Sequence, residues 1–148
     1  MPVAIEPEVA AFVRRQLVAR LATADARSRP SVVPVCFVLV DGYFYSPIDE
    51  KRKSVSWGRL KRLRNVEENP AVSLVIDHYE ADWTSLGYVL VSGVAETVSP
   101  RGRFAKEHAE VVQHLRARYP QYKSSRIDQR PVIKITPRRV TLWHATNE

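Results

Sequence analysis

Apolar residues recur along this 148-residue chain in two periods. Between Pro7 and Ala19, Val9, Phe12, Val13 and Leu17 fall on one face of a helix whose early proline suits a helix start. Val18–Ala24 alternates roughly in twos, and Ser31–Val40 is dominated by Val and Phe, which predicts strands. Asp41-Gly42 is a strong two-residue hairpin signal, and Tyr43–Ser46 is the returning strand, so the three segments read as an antiparallel meander. A short helix is expected over Val55–Val66, stopped by Asn69-Pro70, followed by strands over Ala71–Asp77 and Leu86–Val98, with Gly93 at a bend or bulge. Ser99-Pro100 predicts the start of a helix running to Arg118, closed by Pro120. Val132–Thr136 and Val140–His144 read as two further strands, separated by Pro137.

Short connections join most strands, so the sheet is expected to be largely antiparallel. Six or seven strands with three outer helices suggest a small barrel, mainly β, in a single domain over 1–148. One cysteine, Cys36, excludes an internal disulfide and a Cys-based metal cluster. It reads as a small buried hydrophobe. No apolar run approaches the length of a membrane span, and residues 1–16 lack the apolar core of a signal peptide. A cytoplasmic protein without a membrane partner is the expectation.

The net charge of +7 is uneven: residues 51–70 hold seven Lys/Arg against two Glu, and 71–100 hold no cation against four acids. A nucleic-acid binder or a protein holding an anionic ligand could carry such a chain. The former wants aromatics interleaved with cations, and beside Arg59, Lys61, Arg62 and Arg64 only Trp57 qualifies, so nucleic acid is not expected as a partner. His78, His108, His114 and His144 form no zinc-protease pattern, and P-loop, Gly-x-Ser-x-Gly and Gly-x-Gly-x-x-Gly motifs are absent. With only five glycines, an anion must be held by side chains. Lys51, Arg52 and Lys53 follow Tyr45-Ser46 at a strand end, and Ser54 could cap the next helix. The combination reads either as a phosphate site or as a solvated loop. Pro34 inside a strand marks an edge, a bulge, or backbone facing a ligand. Trp83 and Tyr88 could stack on a flat ring, meet another copy, or pack in the core. The sequence offers no evident acid–base pair.

Pro30-Ser-Val-Val-Pro-Val35, Asp41-Gly-Tyr-Phe-Tyr-Ser46, the Lys/Arg run and Leu63-Arg-Asn-Val-Glu-Glu-Asn-Pro-Ala-Val-Ser-Leu74 resemble the pyridoxamine 5′-phosphate oxidase-like family. Val75-Ile-Asp-His-Tyr-Glu-Ala-Asp-Trp83 and Tyr119-Pro-Gln-Tyr122 are similar to its subgroup of probable F420-dependent enzymes, and the likeness covers about residues 10–145. The resemblance implies a split β-barrel and a homodimer whose two ligand sites lie at the subunit interface. It also implies a cofactor, F420 or alternatively FMN, that exchanges a hydride with a small organic substrate. It places the backbone of Val33, Pro34 and Val35 against the ring. Tyr45, Ser46, Lys51, Arg52 and Lys53 would be near the phosphate, with Tyr88 and Trp83 approaching from the partner subunit. Arg139 falls near an arginine that the oxidases use on substrate phosphate. The compact Ser-Arg-Lys-Gly of the oxidases is replaced by Pro47-Ile-Asp-Glu-Lys-Arg-Lys-Ser54, and their Trp-Gln-Gly signature is absent. Both differences argue against pyridoxamine phosphate oxidation. The longer cation run suits the polyglutamate tail of F420. The other readings are an FMN flavoprotein and a non-catalytic flavin or tetrapyrrole binder.

Overall fold

A computed structural model describes residues 1–49 and 60–145. Helix α1 (Pro7–Arg14) starts at its proline, carries Glu8 in the first turn and buries Val9, Phe12 and Val13. It ends earlier than the periodicity suggests. The N–H groups of Arg15 and Gln16 close back on Phe12 and Val13, so Leu17 leaves the helix and is exposed.

The strands are β1 (Ala19–Ala24), β2 (Pro30–Val35), β3 (Val38–Val40), β4 (Tyr43–Pro47), β5 (Ala71–His78), β6 (Gly87–Val98) and β7 (Val132–His144). They form one antiparallel sheet in the order β2-β1-β5-β6-β7-β4-β3. The two ends of that order, β2 and β3, are consecutive in the chain and separated by Cys36 and Phe37 alone. Three Cα steps span at most about 11 Å, so the sheet must curl until its edges meet. The result is the expected barrel, split where β2 and β3 are not hydrogen-bonded to each other.

This corrects the expected meander. Ser31–Val40 is not one strand but two, each in its own hairpin: β1–β2 through residues 25–29, and β3–β4 through Asp41-Gly42. The second turn has φ of 52° at Asp41 and 84° at Gly42, both left-handed, as a two-residue primed turn requires.

The barrel interior holds alternate residues of each strand, among them Leu21, Phe44, Leu74, Val91 and Ile135. Helix α2 (Lys61–Glu68) seats Leu63 and Val66 on this core, and its buried Asn65 donates to the buried Thr23 hydroxyl at 2.9 Å. A second core lies between the outer barrel wall and helix α3 (Ala105–Arg118), where Val111, Val112 and Leu115 meet Val38, Tyr45 and Val132.

Two proline-based expectations change. Ser99 caps only a bend, accepting from the N–H of Arg101, and α3 begins at Ala105 after Gly102 turns the chain at a φ of 82°. Pro137 does not divide β7. Gly93 pairs with Pro137 and Ser92 with Arg139, leaving Arg138 as the extra residue of a β-bulge. A Cβ on Gly93 would collide with the Thr136 carbonyl, which is why this position is glycine. Among the described residues no helix is long and apolar enough to cross a membrane.

The barrel seam is closed by a side chain. The Tyr119 hydroxyl accepts from the Phe37 N–H at 3.0 Å and from Arg118 Nε at 3.2 Å. Its proton faces the carbonyls of Phe37 and Leu17, each at 2.9 Å. One hydroxyl thus satisfies both backbone groups of a corner residue that is 1% exposed. Tyr119→Phe should lower stability by about 1–3 kcal/mol, because buried backbone groups lose their partner. Urea denaturation measures this, and a midpoint equal to wild type would contradict it.

Candidate functional site

Alternation along β4 turns Phe44 and Ser46 into the barrel and Tyr43 and Tyr45 outward under α3. Ser46 stands opposite Ile133 of β7 and is 1% exposed, and its Oγ has no hydrogen-bond partner. The chain then passes through buried Ile48 to Asp49. Lys51, Arg52 and Lys53 lie outside the described residues. The described chain resumes at Leu60, and Arg62 stands in the first turn of α2, partly buried, with Nε enclosed and unpartnered. Burial lowers the Arg62 pKa, while the Asp49 charge and Tyr122 oppose that shift. The Tyr122 hydroxyl donates to Asp49 Oδ2 at 3.3 Å, and its pKa is raised, first by burial and then by Cys36 and Asp49.

Among the described residues, Ser46 Oγ and Arg62 Nε are the buried side-chain nitrogen or oxygen atoms without a partner. Leaving such a group unpaired costs about 1–3 kcal/mol, more for a charged one. One is a hydroxyl, the other a guanidinium N–H, and they flank the cation-rich segment on its two sides. This donor chemistry fits an anion such as a phosphate or carboxylate.

Tyr45 is occupied differently. Its hydroxyl donates to Glu107 Oε2 at 2.6 Å, and Lys134 Nζ reaches the same oxygen at 2.7 Å while lying 4.2 Å from the centre of the Tyr43 ring. Burial and the Glu107 carboxylate push the Tyr45 pKa far above its ordinary value. Neighbouring strand residues face opposite sides, so the hydroxyls of Tyr45 and Ser46 are directed apart. Tyr45 braces α3, and Ser46 faces the barrel interior.

On β2, Val33 and Val35 turn inward, partly and fully buried, and Pro34 is exposed. This strand is hydrogen-bonded on one side only, to β1, so a proline interrupts no second ladder. Pro34 belongs to an outward row that runs through Arg20, Val75, Leu90 and Thr141. Tyr88 and Trp143 form part of the next outward row, with ring centres 5.6 Å apart. Pro34 and Tyr88 therefore share the outer face of the sheet. Arg139 is exposed beside the bulge. Trp83, 76% exposed, stands on a short 3-10 turn (Trp83–Ser85) before β6. Sequence reasoning weighed Arg62 only as one cation of a nucleic-acid face, with Arg59, Lys61 and Arg64, and did not find Glu107 or Lys134. The alternation of β7 and the helical face of α3 were the available signals for the latter pair.

The profile of the pyridoxamine 5′-phosphate oxidase family matches residues 5–144. The chain belongs to this family. A relative within reach is the 5a,11a-dehydrotetracycline/5a,11a-dehydrooxytetracycline reductase of Streptomyces rimosus, 28% identical over 138 residues, covering 89% of this chain and 78% of the relative. The conserved hypothetical protein Rv2991 of Mycobacterium tuberculosis superposes with a TM-score of 0.74 at 22% identity, over 97% of this chain and 86% of its own. HutZ, the haem storage protein of Vibrio cholerae, superposes with a TM-score of 0.72 at 21% identity, over 96% and 95%. These two likenesses establish the fold. Membership in the pyridoxamine 5′-phosphate oxidase family, together with a reductase among the relatives, places the chain among flavin-binding proteins that include oxidoreductases.

The Glu107 network gives a pH test. Burial alone would raise the Glu107 pKa, but the hydrogen bonds from Lys134 and Tyr45 and the Lys134 charge outweigh it and hold the pKa below 4.5. A depressed carboxylate stabilises the fold above its unfolded pKa and loses that effect as pH falls through the folded value. Glu107→Gln should therefore melt below wild type at pH 7, and the gap should narrow progressively below about pH 4.5. A gap that does not change with pH would contradict this account.

Proposed function

We propose that this chain is an F420-dependent reductase that works as a homodimer, with the coenzyme held at the subunit interface. The observation that carries the reading is the pair of unpartnered buried donors, Ser46 Oγ and Arg62 Nε, on either side of the run Lys51, Arg52 and Lys53. An anionic coenzyme would satisfy both donors and meet the added cations. F420, with its phosphate and acidic tail, carries more negative charge than FMN. The reductase from Streptomyces rimosus supports the reaction class.

When bound, F420 supplies a hydride from its central ring. In this reading the chain contributes binding and orientation. Ser46, Arg62 and the cation run anchor the anionic end, while the backbone of Val33, Pro34 and Val35 offers a wall for the ring. Tyr88 and Trp83 serve the neighbouring subunit's coenzyme. The small organic acceptor is an unsaturated or carbonyl compound stacked on the ring's open face.

Fluorescence titration of the purified chain with F420, FMN and haem separates the alternatives. F420 should bind most tightly. Tighter FMN binding would reassign the chain as an FMN flavoprotein. Tight haem binding without hydride transfer would favour a tetrapyrrole carrier, the reading suggested by the likeness to HutZ. Replacing Lys51 and Lys53 together with Ala should weaken F420 binding by about 3–6 kcal/mol, given about 1.5–3 kcal/mol for each charge-assisted bond. Unchanged affinity would locate the anion elsewhere.

The homodimer reading is supported by the outer sheet face, where Val32 is 62% exposed, Leu90 37% and Trp143 42%, with Val75 and Pro34 between them in register. These exposed apolar side chains, set around the Arg20–Asp77 ion pair, make the face a candidate association surface. Leu90→Arg should convert the protein to a monomer in sedimentation velocity and reduce F420 binding with it. A wild-type monomer, or a monomeric variant that keeps full affinity, would exclude the interfacial site.

A further inference from the structure

Two adjoining cavities of about 290 and 340 Å³ lie between α1 and the connection from β5 to β6, and they share Phe12, Arg15 and Ser85. Together they form one groove, and Arg15 stands at the junction of its two lobes. The Arg15 guanidinium lies over the Phe12 ring, 5.7 Å from its centre. Among the described residues it has no hydrogen bond and no carboxylate partner. Stacking fixes the plane of a guanidinium and leaves its N–H edge available for a planar anion.

The lobes differ in character. One adds Gln16 and His78 to the shared residues and has no carboxylate in its lining. The other adds the apolar side chains of Leu86 and Leu142, and its acid, Glu8, faces His144 at 3.6 Å. Glu80, which is not itself part of the lining, lies 3.6 Å from His78 and accepts the Ser85 hydroxyl. The groove therefore has a polar end and a more apolar end, with Arg15 and the Phe12 ring it covers between them.

We infer that this groove binds a flat conjugated carboxylate or enolate, with its anionic end against Arg15 and its apolar body beside Phe12 toward Leu86 and Leu142. This site is separate from the anion-holding end of the barrel. Gly87 pairs with His144 beside the groove, whereas Thr97 pairs with Ile133 opposite Ser46, about 33 Å further along β6 at about 3.3 Å per residue. The inference therefore does not depend on which coenzyme that end of the barrel takes, and Arg15, at the C-terminal end of α1, lies outside the Trp83 turn proposed to serve the neighbouring subunit's coenzyme.

Calorimetric titration of the full chain, with no coenzyme added, tests it with 2-naphthoate and its neutral counterpart 2-naphthamide. Naphthoate should bind saturably, and naphthamide at least tenfold more weakly. Arg15→Gln should weaken naphthoate at least tenfold without changing the melting temperature, while Arg64→Gln, at an exposed position of α2, should match wild type. Saturation transfer between naphthoate and the Phe12 ring in the unsubstituted protein gives the same answer without a variant. Equal binding of acid and amide, no saturable binding, or full affinity in Arg15→Gln would overturn the assignment. F420 affinity measured on Arg15→Gln should stay at the wild-type value. A parallel loss would overturn the separateness of the two sites, whereas failure of F420 to bind either protein would leave the groove result intact.

Discussion

The barrel depends on a single hydroxyl. Between β2 and β3 the chain leaves one edge of the sheet and joins the other, and at Phe37 it can pair with neither strand. Tyr119, at the end of α3, supplies a donor and an acceptor to that corner and takes up the Leu17 carbonyl at the end of the α1 segment. Arg118 adds the second layer. Its guanidinium reaches the carbonyls of Arg14 and Gln16 and lies 5.1 Å from the centre of the Phe37 ring. Helices α1 and α3 are therefore cross-linked through the seam of the barrel rather than merely packed on its wall. The position of β4, and hence of Ser46, follows from that closure.

Polar groups on the wall divide into those that finish the fold and those left open. Asn65 with Thr23, and Tyr45 with Glu107 and Lys134, are paired within the chain and join a helix to the barrel. Ser46 and Arg62 are not paired. A buried donor without a partner weakens a fold unless something else completes it. Both lie close in sequence to the segment with the highest density of positive charge, which is the basis of the proposed anionic ligand. Tyr45 and Ser46 show how closely the two roles can sit, since a single step along a strand separates a structural hydroxyl from an open one.

Much of this architecture was legible in the sequence, and its departures have physical causes. Asp41-Gly42 identified its hairpin because left-handed backbone at two successive positions leaves few residue choices. The break after Val35 was invisible because Cys36 and Phe37 are as apolar as the strands beside them, and the hydroxyl that stabilises the corner lies 82 residues away in sequence. Pro137 reads as a breaker, but the bulge opposite Gly93 accommodates it. Leu17 continues the helical period of α1, yet the chain has already turned there. The density of positive charge over residues 51–64 was legible in composition, and family resemblance suggested an anion there. The burial of Arg62 could not, because nothing in the spacing of α2 distinguishes a guanidinium folded against the barrel from its solvated neighbours.

The strand order also constrains how the molecule is assembled. Strands β2, β1, β5 and β6 can associate as soon as residues up to 98 have been synthesised, but β4 has no lateral neighbour besides β3 until β7, at residues 132–144, arrives between it and β6. During translation the β3–β4 hairpin must therefore wait, tethered by two residues to a sheet it cannot yet join, with Phe44 uncovered. Such non-local pairing slows folding and leaves apolar surface open to misassociation. A nascent chain of this topology fixes the Ser46 end of β4 only in the final stage of barrel closure.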